Sequence, residues 1–167
     1  MNVVDFFISF IDDCSQSNQN KSIMLTGGRS AKELYLCINN KKVKNTNFFL
    51  TDERNVPPTS EESNQKLIQQ NFFNSVELSN KSIFNTIENK GDPELTCQLY
   101  ESLIPDSIDL MLLSMGEDGH IASLFPNSNA LKENNKKILS IFAPKPPPDR
   151  FTITPRVIKN TKNIIVL

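Results

Sequence analysis

The 167-residue chain has no tryptophan, one histidine, five glycines and three cysteines, and each shortage excludes something. Cys14, Cys37 and Cys97 are odd in number and form no Cys-x-x-Cys pair, which argues against a disulfide framework and against a zinc site. All three fall in helical-looking stretches and are read as reduced thiols. No apolar segment approaches the roughly 20 residues of a membrane span. No long run of like charge occurs, and 18 basic against 19 acidic residues leave a net charge of −1. Neither nucleic acid nor an anionic membrane is therefore favoured as a partner. Met1-Asn-Val-Val-Asp5 lacks the basic start and cleavage site of a signal peptide. The expectation is a soluble, cytoplasmic protein with one domain over residues 1–167 and a real core.

What is present centres on the single histidine, in Ser114-Met-Gly-Glu-Asp-Gly-His-Ile-Ala-Ser-Leu-Phe-Pro126. The preceding run, Ile108-Asp-Leu-Met-Leu-Leu113, reads as a buried strand. Gly116, Asp118, Gly119 and His120 then form a tight polar turn. Ligands of open α/β sheets bind at the carboxyl ends of strands, and imidazole is the side chain suited to proton transfer near neutral pH. A lone histidine in a loop is more often a surface residue, so His120 gains weight only from its surroundings.

Those surroundings are legible from periodicity. Val3, Phe6, Phe7, Phe10, Ile11 and Cys14 follow helical spacing. Strands are expected at Ser22–Thr26, Thr46–Thr51, Ser82–Ile87, Ile108–Ser114, Lys137–Phe142 and Asn163–Leu167. Ser30 is a candidate cap for a helix running through Asn39, and a further helix is expected from Asn64 to Phe73. Asp92 and Pro93 open a helix bearing Leu95, Leu99 and Leu103. Strands alternating with helices imply crossovers and a mostly parallel sheet. Asp52–Glu62 and Pro144–Pro148 read as long loops, of the kind that often carry function. The chain stops at an apolar strand where a doubly wound fold usually adds a covering helix, which suggests a shortened C-terminus. An uncovered edge strand there invites association.

Two more turns carry chemistry. Thr26-Gly-Gly-Arg-Ser30 lies between a strand and a helix start, where backbone N–H groups can approach an anion. It is neither a Walker A loop nor a Gly-x-Gly-x-x-Gly fingerprint, so no nucleotide is implied. Thr51-Asp-Glu-Arg-Asn-Val-Pro57 supplies Arg54 for a bidentate grip on phosphate and Asp52 to orient it or to meet hydroxyl groups. Pro148-Asp-Arg-Phe-Thr-Ile-Thr154 adds Arg150, either as a ligand contact or within a rigid surface connection. A parallel sheet brings the first three turns to one edge, as a pocket for a small phosphorylated molecule beside a proton-transfer group.

Taken in order, Thr26-Gly-Gly, Asp52-Glu-Arg-Asn-Val-Pro57, Ser63-Asn64, the Gly116–Pro126 stretch and Pro148-Asp-Arg-Phe-Thr-Ile-Thr154 resemble the motifs of 6-phosphogluconolactonases. The resemblance implies a three-layer α/β/α, Rossmann-like fold shared with glucosamine-6-phosphate deaminases. It also implies hydrolysis of 6-phosphoglucono-1,5-lactone in the oxidative pentose phosphate pathway, with no metal and no organic cofactor. By that likeness His120 is the general base, with Asp118 orienting it or touching the sugar, while Arg54 and Arg150 hold the phosphate. Gly27, Gly28, Arg29, Ser30, Asp52 and Gly116 complete the expected substrate contacts. Arg29 either strengthens anion binding or points outward. Backbone N–H groups near Gly27-Gly28 or at Gly116 are the candidate oxyanion donors. A helix starting at Ile121 is expected to disfavour imidazolium.

The alternative within the superfamily is a glucosamine-6-phosphate deaminase. That branch carries Phe-Asn-Glu-Pro where this chain has Ser123-Leu-Phe-Pro126. A sugar-phosphate-binding or truncated form without turnover is the other alternative. It is motivated by Ala31 and Ser114, where lactonases usually have proline and glycine, and by the short C-terminus.

Overall fold

The computed structural model describes residues 2–38 and 40–167. The first elements are α1 (Val3–Gln16), β1 (Lys21–Leu25), α2 (Arg29–Leu36), β2 (Lys41–Val43) and β3 (Thr46–Leu50). Next come β4 (Asp52–Arg54), α3 (Asn64–Asn71), β5 (Val76–Leu78), β6 (Ile83–Asn85) and α4 (Pro93–Leu103). The last are β7 (Leu110–Leu113), β8 (Ile138–Phe142), β9 (Asp149–Ile153), α5 (Pro155–Lys159) and β10 (Ile164–Val166).

Continuous apolar runs form strands that are buried on both faces, as parallel sheets covered by helices require. β1, β3 and β7 are almost wholly buried. They lie at the centre of a five-stranded sheet of order β10-β7-β1-β3-β6, in which every neighbouring pair is parallel. Helices flank it in a three-layer α/β/α arrangement. Phe7 of α1, Tyr35 of α2 and Phe48 of β3 gather around Phe72, with ring centroids 5.5 to 6.1 Å apart. On α4, the Tyr100 hydroxyl accepts from the Leu50 N–H at 2.6 Å and donates to the Leu50 carbonyl at 2.9 Å. That one side chain locks the helix to the end of β3.

Several expectations are corrected. β8 does not join the parallel sheet; with β4 and β9 it forms a separate antiparallel sheet of order β4-β9-β8. The Asp52–Glu62 segment therefore begins as a strand. Arg150 lies on a buried strand rather than in a surface connection. No helix starts at Ile121; the chain turns there, with Ala122 at φ 50°. The α2 helix begins at Arg29 with Gly28 as its cap, so Ser30 is its second residue, and it ends at Leu36. The expected end at Asn39 lies outside the described residues. On α4 the buried residues are Thr96, Cys97 and Tyr100, whereas Leu95, Leu99 and Leu103 are exposed. The tyrosine's paired hydroxyl sets that rotation. Among the described residues, no helix is long and apolar enough to cross a membrane.

Glu53 joins the two sheets to α3. It is 4% exposed, and its carboxylate accepts from the N–H groups of Arg54 (2.8 Å), Asn64 (2.8 Å) and Gln65 (2.7 Å) and from the Ser63 hydroxyl (3.0 Å). Burial pushes the carboxyl up from its ordinary value while these donors oppose the shift. Removing the acceptor strands buried donors, each worth about 1–3 kcal/mol when unsatisfied. Glu53→Ala is accordingly expected to lower unfolding stability by about 3 kcal/mol or more. An unchanged urea midpoint would contradict this role.

Candidate active site

The sheet order makes β7, β1 and β3 immediate neighbours, so the turns leaving their carboxyl ends share one edge. A cavity of about 210 Å³ opens there. It is smaller than the roughly 300 to 1,000 Å³ of sites for drug-sized ligands, which suits one small polar molecule. The turn after β1 lines it with Gly27, Gly28, Arg29 and Ser30, the β3–β4 connection with Asp52 and Arg54, and the turn after β7 with Gly116 and His120. Arg150 enters from β9. Asp118, alone of the sequence-derived residues, does not line the cavity; it stands behind the imidazole.

The histidine turn is built by close packing. The Gly116 N–H donates to the His120 carbonyl at 2.8 Å, and the Gly119 N–H donates to the Gly116 carbonyl at 2.9 Å. A Cβ on Gly116 would lie 2.2 Å from the His120 ring. The ring is sandwiched further by Phe125, stacked at 4.6 Å and 24°. Its Nδ1 is 2.5 Å from Asp118 Oδ1, and the other carboxylate oxygen, Oδ2, is 2.8 Å from the Lys145 ammonium. Lys145 first and His120 second hold the Asp118 carboxyl well below the usual carboxylate range. In the neutral ring, an ionised Asp118 assigns the proton to Nδ1 and leaves the lone pair on Nε2. The hydrogen bond already made by the Gly116 N–H removes it as an oxyanion donor, a correction to the sequence reading. The Gly27 and Gly28 amides have no acceptor among the described residues.

The opposite wall is cationic. Arg54 and Arg150 face each other directly in the β4–β9 register. The Arg54 guanidinium donates to the Glu62 carbonyl at 2.6 Å, yet its Nε is buried without a partner. Arg150 is 4% exposed and donates to the carbonyls of Pro147 (2.8 Å), Pro146 (3.2 Å) and Lys145 (3.3 Å). Burial, and then the Arg54 charge, push the Arg150 guanidinium down from its ordinary value. Arg29 points outward instead: 93% exposed, it pairs with Glu117 at 3.7 Å across the cavity mouth.

Sequence reasoning missed three contributors, two of them buried (Asn64 and Ser123) and one exposed (Lys145). Asn64 donates to the Asp52 carbonyl (3.0 Å) and carboxylate (3.2 Å), and its Oδ1 would be 1.9 Å from a Cβ on Gly27. Ser123, fully buried, donates to Asp52 Oδ2 at 2.7 Å and accepts from Arg150 at 3.4 Å. Lys145 was read only as part of a proline-rich loop. Asn64 and Ser123 both fell within recognisable motifs, but their long-range partners left no local signal. Among the described residues, no group of three or more His, Cys, Asp or Glu side chains is gathered as a metal site requires.

The turn geometry yields a direct test. Gly116→Ala forces the imidazole off Asp118, and Gly27→Ala drives against Asn64. Both variants are expected to remain folded and to show a displaced His120 or Asn64 side chain in a crystal structure. An unmoved His120 ring in Gly116→Ala would disprove the close-packing account.

Comparison with known proteins agrees with this geometry. The pattern of the family described as glucosamine-6-phosphate isomerases/6-phosphogluconolactonase matches residues 1–167. A chloroplastic 6-phosphogluconolactonase 3 of Arabidopsis thaliana is 31% identical over 167 residues, covering 87% of this chain and 51% of the relative. A 6-phosphogluconolactonase of Chlamydia pneumoniae is 32% identical over 151 residues, covering 86% of this chain and 58% of the relative. The chain thus spans little more than half the length of these two relatives. The crystal structure of a 6-phosphogluconolactonase from Thermotoga maritima superposes with a TM-score of 0.82 at 26% identity, covering 98% of this chain and 77% of that one. With its full described length matched and the fold shared, the chain belongs to the glucosamine-6-phosphate isomerase/6-phosphogluconolactonase family.

Proposed function

We propose that the chain hydrolyses 6-phosphoglucono-1,5-lactone to 6-phosphogluconate. The observation that carries this reading is an imidazole with Nδ1 tied to Asp118, on the wall of the same small cavity as an opposed pair of arginines. A lactone is an ester, so its hydrolysis needs an activated water and a place for charge on the carbonyl oxygen. Nε2 of His120 takes a proton from water as the oxygen attacks the carbonyl carbon. The Gly27 and Gly28 amides, at the uncapped start of α2, receive the developing oxyanion. When the ring C–O bond breaks, the imidazolium returns its proton to the leaving hydroxyl oxygen. Water is thereby divided between a carboxylic acid and an alcohol, and the acid releases its remaining proton to solvent to become the product carboxylate.

The arginine pair supports a phosphate at the other end. Like charges directly across two strands are unfavourable. The direct hydrogen-bond partners of Arg150 are neutral carbonyls and the Ser123 hydroxyl, and the Asp52, Glu62 and Asp118 carboxylates offset its charge without bonding it. An anion between the guanidiniums relieves the repulsion and offers the orphaned Arg54 Nε an acceptor. Asp52, held by Asn64 and Ser123, borders the cavity between the two ends and is suited to the substrate's hydroxyl groups. The deaminase reading is weaker because Phe125 covers the imidazole face and no carboxylate follows His120 before Glu133. We further propose that the enzyme works in the cytoplasm.

The test is hydrolysis of freshly generated lactone, coupled to 6-phosphogluconate dehydrogenase, with the spontaneous rate subtracted. His120→Ala is expected to lose about 100-fold or more in kcat. Arg54→Ala is expected to raise KM about 10-fold or more, with a smaller change in kcat. A folded parent protein that gives no acceleration sinks the proposal, and an undiminished His120→Ala rate sinks the base assignment.

A further inference from the structure

We infer that Lys145 is a positioning residue for the His120 imidazole, acting through Asp118 across the gap between the proline-rich 144–148 segment and the histidine turn. The inference deepens the lactonase reading and rests on it for its kinetic consequence, though not for its structural one. Asp118 is bound at both oxygens, Oδ1 by the ring and Oδ2 by the Lys145 ammonium. With one oxygen held by the lysine, rotation of the carboxylate about its own axis is restrained, and Oδ1 stays turned toward Nδ1. Phe125 and Gly116 restrict the faces of the imidazole, but neither chooses which nitrogen carries the proton. That choice belongs to Asp118, and its constancy to Lys145.

The lysine is itself held in place. Its carbonyl accepts from Arg150 at 3.3 Å, beside the Pro146 and Pro147 carbonyls that the same guanidinium binds. A buried arginine on one wall of the cavity thus anchors the segment whose ammonium reaches the base on the other wall. The Lys145 and Asp118 side chains are 49% and 32% exposed, and ion pairs so placed add little to stability. Their geometry serves the ring rather than the fold.

The chain's single histidine makes the spectroscopic test unambiguous. With nitrogen-15 histidine at a pH where the imidazole is neutral, the parent is expected to show one tautomer, protonated at Nδ1. Lys145→Met is expected to move both ring nitrogens toward values averaged over the two tautomers, and Lys145→Arg to restore the parent pattern. The thermal midpoint stays at the parent value in both. On lactone, Lys145→Met is expected to lose about 10- to 100-fold in kcat, with KM within about twofold of the parent. A parent-like nitrogen spectrum in Lys145→Met overturns the inference. So does a rise in KM alone, which makes Lys145 a substrate contact. If the parent itself fails to hydrolyse the lactone, the lactonase reading falls, and the spectra still decide the role of Lys145.

Discussion

The buried carboxylate of Asp52 is the constraint on which the site depends. It stands where β3 ends and β4 begins, at the passage from the parallel sheet to the antiparallel one. Charge buried this deeply persists only with partners, and Asp52 draws them from distant parts of the chain. Asn64 arrives from the start of α3, and Ser123 from the turn beyond the histidine. Ser123 in turn meets Arg150 of β9, and its N–H donates to the Thr152 hydroxyl at 3.1 Å. Satisfying one charge therefore fixes the relative positions of a helix start, the histidine turn and a cationic strand. Glu53, next in sequence and facing the other way, does the same for the α3 terminus, so adjacent carboxylates secure both sides of β4.

What the sequence made legible follows from how local each signal was. The apolar runs of β1, β3 and β7 are continuous, and their neighbours in the sheet follow from alternation with helices. Hence the turns holding Gly27, Asp52 and His120 converge as expected. The antiparallel sheet was hidden because Asp52-Glu-Arg54 carries three charges in succession, the composition of a solvated loop. Their partners lie at Asn64, Ser63 and Ser123, and no window of sequence contains those pairings. The buried face of α4 was not legible for a related reason. Leu95, Leu99 and Leu103 outvote Thr96, Cys97 and Tyr100 in hydrophobicity, yet the tyrosine hydroxyl's two bonds to Leu50 decide which side turns inward. The resemblance to a known family pointed to Arg150, whose place composition left open, and β9 sets it on the cavity wall.

Rigidity in this site comes from contact rather than from regular structure. His120 belongs to no helix, and the turn bearing it is fixed by Gly116, Phe125 and Asp118 on three sides. Ala122 takes a left-handed backbone conformation immediately beyond it, unfavourable for a residue with a Cβ. That geometry lets Ser123 turn back toward Asp52. Backbone strain at one residue is thus matched to the burial of the next.

The proline-rich segment beside Arg150 has a further consequence. Prolines 146, 147 and 148 carry carbonyls but no N–H groups. The ribbon they form is an acceptor-only surface: it can embrace a guanidinium and has no backbone donor to offer an anion. On the proposed reading, the prolines would offer an anion no backbone donor on that flank, and it would meet the guanidinium from the cavity side, where Arg54 stands. Bound on one flank by these carbonyls, the guanidinium is left facing the cavity it lines.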